Sequence, residues 1–574
     1  MAAPVSFRGP TDPRLNKPVH DERHMRIICI GAGASGLLLA YKLQRSFENY
    51  ELVVYEKNKD IGGTWYENKY PGCACDVPSH TYTWSFEPKK DWSSVYAGSD
   101  EIKQYFTDFA NKYQLLKYVK LNHAVSSAIW NERSGQWDVE VQNGEDGSVI
   151  KDRCDILINA TGFLNSWKMP DIKGLETVFK GKVLHTAGWD ESVDLTGKHV
   201  GLIGNGSSAI QVLPAIAPKV KKVTTFIRSE TWVAPTQRLA QHVYTPEERH
   251  VFETDPQAFL EYRKSQETAF STLFGIWISD SKMQKGTTAN LRNAMKKALN
   301  NEALEWIIPQ WGFGCRRLTP GVGYLEALAS EKVQVVRGSV VATTEEGCVC
   351  DDGKEYPVDI IICATGFDTS FKPRFPVIGR GGVDLREQWD REPKSYLGVG
   401  AGNMPNYFTF TGPTSPLGNG PVLAGMEAQA DYMLKFVNRY QTENIHSFAP
   451  KPEVIEEWVA FKNNFMKNST WNHNCKSWYK NADGVVTALW PGSSLHYIEV
   501  MRDPRYEDWD FKSNGNRFNF VGNGYSQTES DMTADWAYYI TDHDDSPYLS
   551  RSKYRKVLTR SGTMKHEVSD EVLF

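Results

Sequence analysis

Residues 26–57 read RIICIGAGASGLLLAYKLQRSFENYELVVYEK, and this stretch decides the fold. Arg26 to Ile30 is a short apolar run of the kind that forms a buried strand. It leads straight into a turn containing Gly31, Gly33 and Gly36, and LLLAYKLQRSF then reads as a helix. A second strand, ELVVYEK, brings Glu56 20 residues beyond Gly36. The first glycine of such a turn permits its tightness, and the second lets a pyrophosphate approach the backbone. The third lets the helix pack closely on the strand, with its positive N-terminus toward the phosphates. A carboxylate at Glu56 can accept hydrogen bonds from ribose hydroxyls. Strand, turn, helix, strand and acid in this order predict a dinucleotide site, the alternative being a tight structural turn.

The pattern recurs. HVGLIGNGSSAIQVLPAIA, from His199, holds Gly204, Gly206 and Ala209, and the next strand, VTTFIR, ends at Arg228 where the first copy has Glu56. A carboxylate there would repel a ribose 2′-phosphate, whereas arginine can bind it. The first copy therefore predicts FAD and the second NADPH. Each copy has a later partner strand that stops at Ala-Thr-Gly: CDILINATGF, through Ala160, Thr161 and Gly162, and VDIIICATGFD, through Ala364, Thr365 and Gly366. Between Thr231 and Glu331 long helix-compatible stretches dominate, the first preceded by Thr245 as N-cap. The expected class is α/β, with two Rossmann-like dinucleotide-binding domains and a mainly helical insertion. Residues 1–150 and 390–574 are expected to form the FAD domain, 151–230 and 332–389 the NADPH domain, and 231–331 the insertion.

Composition narrows the function. The 574 residues carry 65 basic and 70 acidic side chains, a formal net charge of −5, with no signature for nucleic acid. No apolar stretch approaches the roughly 18 residues of a membrane span. The polar, proline-rich start lacks the apolar run of a signal peptide, and the terminal EVLF is no recognised address, so a cytoplasmic location is expected. Nine cysteines without CxxC spacing predict reduced thiols and no metal site. No protein partner is implied.

Two further motifs are specific. FKGKVLHTAGWD (179–190) resembles the fingerprint of type I Baeyer–Villiger monooxygenases, FxGxxxHxxxW followed by Pro or Asp, with Phe179, Gly181, His185, Trp189 and Asp190 in the matching places. GGTWYENKYPGCACD (62–76) resembles a second fingerprint of that family through Gly63, Trp65, Tyr70, Pro71, Gly72 and Asp76. The resemblance covers roughly residues 25 to 500. It implies a ketone substrate and O2, a flavin C4a-peroxide, and an ester or lactone product.

The resemblance also implies roles. Thr64, Trp65, Tyr66, Asp76 and Tyr82 fall among FAD contacts. Gly204, Asn205, Gly206, Ser207, Ser208, Gln211, Arg228 and Ser229 fall around NADPH. In WGFGCRRLTPGVGYLEAL (311–328), Arg317 corresponds to the family's active-site arginine, paired with Asp76. Arg316 takes the place of a residue that is more commonly lysine and that holds the 2′-phosphate. Trp478, in CKSWYKN, resembles a tryptophan at the nicotinamide ribose, and GPTSPLGNGPV (412–422) a loop lining the ketone pocket. His185 reads as an anchor of the inter-domain connector, with a catalytic base as the alternative. A fixed cation suits an anionic peroxide because arginine does not deprotonate at working pH. The rival reading is an N- or S-oxygenating flavin monooxygenase, which has no use for the Asp76–Arg317 pair. A disulfide reductase would need a redox CxxC, and a non-enzymatic NADPH sensor would need no Arg317.

Overall fold

The apolar runs that flank the two glycine turns form the centres of two parallel sheets. The structure, a computed structural model, describes residues 13–234, 240–420 and 422–542, and the strands 555–558 and 564–567. The first 12 residues, Pro421 of the 412–422 loop and the terminal EVLF lie outside the described residues. The strands of the two sheets are β1 (Met25–Ile30), β2 (Tyr50–Tyr55), β3 (Val119–Lys120), β4 (Ile156–Asn159), β5 (Lys182–His185), β6 (His199–Ile203), β7 (Lys222–Ile227), β8 (Val333–Arg337), β9 (Ile360–Cys363) and β10 (Tyr407–Thr409). The first sheet runs β10-β4-β1-β2-β3 and the second β8-β7-β6-β9-β5. β1, β4, β6 and β9 are almost wholly buried, as expected for parallel strands covered on both faces.

The duplication is exact at the level of contacts. Gly31, at φ +106°, faces the end of β4, and a Cβ there would stand 2.6 Å from the Ala160 carbonyl oxygen. Gly204, at φ +117°, faces the end of β9, where a Cβ would stand 2.5 Å from the Ala364 oxygen. Each Ala-Thr-Gly segment is thus the wall against which the first glycine of its own turn is pressed. The turns open at the C-terminal ends of β1 and β6, where parallel α/β sheets bind their ligands.

Two domain boundaries differ from the sequence expectation. β4 pairs with both β1 and β10, so residues 156–159 belong to the first sheet and not with 151–230 of the second. Val377–Ile378 pairs with Ala128–Ile129, on the antiparallel sheet of 123–131, 136–143 and 149–154. Those two residues therefore also fall on the first side. The chain crosses between the sheets more often than the glycine motifs reveal. The insertion is largely helical, with α3 (Pro246–Thr254), α4 (Pro256–Ser271) and α5 (Lys282–Leu299). Thr245 caps α3 in a reciprocal box with Glu248.

Arg23–Gln441 and Ile445–Asn514 form one compact unit. The described parts of Met1–Glu22, Thr442–Asn444 and Gly515–Phe574 form another, although the sequence expectation placed both termini in the FAD domain. In that unit Asn523 N–H donates to Lys17 O at 2.8 Å and Val19 N–H to Tyr525 O at 2.9 Å. Among the described residues no helix is long and apolar enough to cross a membrane, and no His, Cys, Asp or Glu cluster could hold a metal ion.

The insertion packs onto the 79–81 turn around a buried histidine. His80 is 1% exposed and meets Tyr244, Phe252, Phe259 and Tyr262 edge-to-face at 5.1–5.5 Å. Neither ring nitrogen has a partner. Burial, helped by the Arg263 guanidinium, pushes its pKa down to about 3, so the ring is neutral in the fold. The unfolded chain binds that proton more readily between the ordinary value of about 6.5 and this depressed one. Stability is therefore fully present above pH 6.5 and is lost as pH falls. His80→Phe should keep the aromatic packing, remove two unpaired nitrogens and reduce the fall in melting temperature between pH 7 and pH 5. Parallel melts at the two pH values check this, and an unchanged pH dependence would contradict it.

Candidate functional site

Both glycine turns open into one cavity of about 1280 Å³. Gly31, Gly33, Glu56, Thr64, Trp65, Asp76 and Tyr82 line it from the first sheet's side. Gly204, Asn205, Gly206, Ser207, Ser208, Gln211, Arg228 and Ser229 line it from the second, joined by Arg316, Arg317 and Trp478. Two expected cofactor residues do not reach it. Gly36 lies in the first turn of α1 (Ala34–Ser46), where a Cβ would fall 2.0 Å from Gly31 O, so its role is close packing. Tyr66 stacks under cations instead, with Lys69 and Lys103 ammonium groups 5.4 and 5.8 Å from its ring.

The cavity's strongest electrostatic feature is an ion pair. Arg317 donates from Nε to Asp76 Oδ2 at 2.5 Å and from Nη2 to Oδ1 at 2.7 Å, the bidentate fork that arginine makes best. Nη1 donates to Leu417 O at 3.1 Å. A guanidinium has five N–H groups, so at most two remain for a ligand. The side chain keeps 32% exposure, enough to present them. Burial disfavours the cation, but Asp76 outweighs it and holds the Arg317 pKa above its ordinary value, so the charge is permanent. Tyr479 stands beside it as a neutral phenol, burial pushing its pKa up to about 12 against the pull of Arg317.

The segment carrying Asp76 is held against the second sheet's helix α2 (Ser207–Ile216). Tyr70 OH donates to Gln211 Oε1 at 2.7 Å, and Gln211 Nε2 donates to Ala74 O at 2.8 Å. Gly72, at φ +81°, lies so close that a Cβ would meet Gln211 O at 2.5 Å. The Tyr-Pro-Gly of this motif is a docking surface between the two nucleotide-binding domains, and Gln211 serves it as well as the cavity.

The flavin-binding monooxygenase-like family matches residues 24–291. Over 516 residues the chain is 40% identical to the FAD-binding monooxygenase moxY of Dothistroma septosporum, covering 88% of this chain and 82% of that protein. It is 32% identical over 492 residues to a Baeyer–Villiger monooxygenase of Streptomyces coelicolor, covering 85% and 92% respectively. The crystal structure of cyclohexanone monooxygenase from Rhodococcus sp. Phi1 bound to NADP+ superposes with a TM-score of 0.74 at 26% identity, covering 86% of this chain and all of that one. The chain belongs to the flavin-binding monooxygenase family. It is a Baeyer–Villiger-like flavoprotein oxidoreductase whose cofactors are FAD and NADP(H).

The monooxygenase's cavity fits those cofactors on its own geometry. Gly33 and Gly206 are the N-cap residues of α1 and α2, and neither helix start has a side-chain cap. The first-turn N–H groups are therefore left for an anion. Glu56 has one oxygen on Ala32 N–H at 2.8 Å and the other on Asn58 N–H at 2.9 Å. The remaining lone pairs can still accept from a ribose. At the other end Arg316 donates to Ser229 Oγ at 3.0 Å, Glu230 O at 3.0 Å and Lys476 O at 2.6 Å, while Arg228 stays exposed. Lys476 also lines this end. Sequence reading missed it, although it stands two residues before Trp478. Thr161 and Thr365 of the two Ala-Thr-Gly segments and Arg374 also line the cavity, and were not named as site residues.

The FxGxxxH motif is outside the cavity. His185, on β5, is 1% exposed and stacks on Trp167 at 4.6 Å. Its Nδ1 accepts from Ala187 N–H at 3.1 Å, which leaves Nε2 to donate to Thr365 Oγ1 at 3.2 Å. Burial pushes its pKa down to about 4. Phe179 is buried, and a Cβ on Gly181 would stand 2.2 Å from Asp359 O. Trp189 packs against the main core, and Asp190 accepts from Lys182 at 2.9 Å. The motif is thus fixed by burial, ring stacking and hydrogen bonds to its own neighbours and to Thr365.

One expectation about cysteine fails. Cys315 and Cys475 form a disulfide across 160 residues of sequence, while the other seven cysteines are buried and unpaired. The bridge joins the residue before Arg316 to the loop carrying Trp478, which stacks on Phe163 at 5.4 Å.

A strained loop that also lines the cavity, through Thr411 and Leu417, meets Arg317. Thr411 and Thr414 both have positive φ, +48° and +67°, which costs a β-branched residue about 1–3 kcal/mol and needs outside support. Fully buried Gln429, on α6 (Val422–Thr442), supplies it. Thr411 N–H donates to Gln429 Oε1 at 3.0 Å, and Gln429 Nε2 donates to Ser415 Oγ at 3.2 Å and Tyr497 OH at 2.9 Å. Leu417 N–H then donates to Ser415 O, setting the carbonyl that meets Arg317. Gln429→Leu should cost about 1–3 kcal/mol and speed amide exchange across 411–417 while leaving β1 protected. Hydrogen-exchange mass spectrometry reads both, and unchanged exchange in the loop would refute the assignment.

Proposed function

We propose that the enzyme converts ketones to esters or lactones with NADPH and O2. The observation that carries this reading is the Asp76–Arg317 pair, which stands in the same cavity as both glycine turns. When bound, FAD reduced by NADPH supplies the oxygen-activating chemistry. The chain's own residues decide what that chemistry does.

Arg317 cannot act as a proton donor at working pH, because Asp76 holds its proton in place. Its uncommitted N–H groups therefore stabilise negative charge on oxygen without quenching it. An oxidant kept anionic is a nucleophile, and its natural target is a carbonyl carbon. Negative charge then develops on the ketone oxygen, and the same cation stabilises that charge. Asp76 fixes the plane of the guanidinium and Leu417 O fixes its rotation. Thr64, Trp65 and Tyr82 form the FAD side of the cavity, with Trp65 Nε1 donating to Tyr82 OH at 3.2 Å. Arg228 and Arg316 would hold the 2′-phosphate of NADPH, and Trp478 would meet its nicotinamide ribose. His185, buried away from the cavity, anchors the connector between the domains and moves no proton in the reaction.

Arg317→Ala should leave flavin content and anaerobic reduction by NADPH largely intact, while ester formation falls roughly 100–1000-fold. Product formation measured beside flavin reduction in the same variant decides the matter, and near-parental ester formation would refute the role. Arg228→Ala removes one charge-assisted contact, worth about 1.5–3 kcal/mol. It should raise the Michaelis constant for NADPH about tenfold to a hundredfold and barely change that for NADH. Equal effects on both would count against a 2′-phosphate contact.

A further inference from the structure

The disulfide is placed where it can govern the nicotinamide end of the cavity. Cys315 is the residue before Arg316 and Arg317, and Cys475 stands three before Trp478. Apart from the bridge, Arg316 Nε ties the two segments by donating to Lys476 O at 2.6 Å, while Lys480 Nζ, on the Trp478 loop itself, donates to Cys475 O at 3.4 Å. The two cysteines differ in exposure. Cys315 is fully buried, whereas Cys475 is only partly buried, so a small thiol can reach the second and not the first. Lys480 Nζ lies 3.9 Å from Cys315 Sγ. A cation there stabilises a departing thiolate.

We propose that Cys315–Cys475 is a thiol-modification site that sets the affinity for NADPH, closed by peroxide and opened by small thiols of the glutathione class. In opening, an external thiolate attacks Cys475 Sγ and the S–S bond breaks. Cys315 leaves as a thiolate beside Lys480 and then takes a proton. A second external thiol attacks the mixed disulfide, freeing Cys475 and leaving the external pair oxidised. In closing, one hydrogen peroxide takes two electrons from the two thiols and is reduced to two waters as the S–S bond forms. Closed, the bridge holds the Trp478 loop against the Arg316 segment before cofactor arrives. Open, that ordering has to be made on binding, and fixing about one backbone residue corresponds to roughly tenfold in affinity.

The inference rests on the placement of NADPH proposed above, and its tests separate the two. Alkylation of the unfolded, unreduced holoenzyme should label seven cysteines, and nine after reduction. NADP+ titrated into the two forms should bind roughly tenfold more weakly to the reduced one. Hydrogen peroxide followed by desalting should restore the tighter value. Cys475→Ser should match the reduced form and ignore both treatments. By linkage, saturating NADP+ should shift the thiol–disulfide equilibrium with glutathione toward the bridge by the same factor. Nine labelled thiols that peroxide cannot reduce to seven, or equal NADP+ affinity in the two forms, would overturn the inference. No NADP+ binding in either form would overturn the placement of NADPH, and the inference with it.

Discussion

The bidentate contact between Asp76 and Arg317 constrains the rest of the molecule. Its partners lie 241 residues apart on segments that belong to different parts of the chain. It works only if the Gly62–Asp76 segment, the Arg316–Arg317 turn and the 411–417 loop meet within a few tenths of an ångström. The structure meets that demand three times over. Tyr70, Gly72 and Gln211 dock the first segment on α2. The Cys315–Cys475 bridge and Arg316 tie the second to the Trp478 loop. Gln429 holds the third in a conformation that two threonines would otherwise leave.

The two dinucleotide domains are the frame for this contact. Their glycine turns leave helix N-termini uncapped by side chains, and both face one cavity. The anion-binding ends of two helices thus share a space with the guanidinium groups of Arg228, Arg316, Arg317 and Arg374. Glu56 and Asp76, two carboxylates that line it, are each engaged by hydrogen-bond donors. Negative charge brought in by phosphates meets donors at the helix N-termini, and charge made on oxygen beside Arg317 meets its guanidinium.

Features with local causes were legible in the sequence. The strand–turn–helix units, the Thr245 cap and the Ala-Thr-Gly strands each depend on a few neighbouring residues. Asp76, Arg317 and Trp478 were legible through resemblance, and the structure brings all three to the cavity. What could not be read depends on long-range pairing. β4 carries the same apolar signal whichever sheet it joins, so its membership of the first was hidden. No spacing rule joins cysteines 160 residues apart, so thiols were expected where a bridge stands. The His80 cage takes its rings from α3, α4 and Tyr244, and no local pattern marks it. Tyr66 sits beside two true cavity residues in sequence, but one step along the 64–67 helical turn carries it to the lysine side.

The proposed reaction inserts an oxygen atom between a ketone's carbonyl carbon and its neighbouring carbon. Incubating the holoenzyme with NADPH, a panel of cyclic and linear ketones and ¹⁸O-labelled dioxygen tests it directly by product mass. The account predicts an ester or lactone that has gained one ¹⁸O atom, in the ring or ester position, with one NADPH consumed per product. Untouched ketones from an enzyme that instead puts labelled oxygen on added amines or sulfides would contradict it.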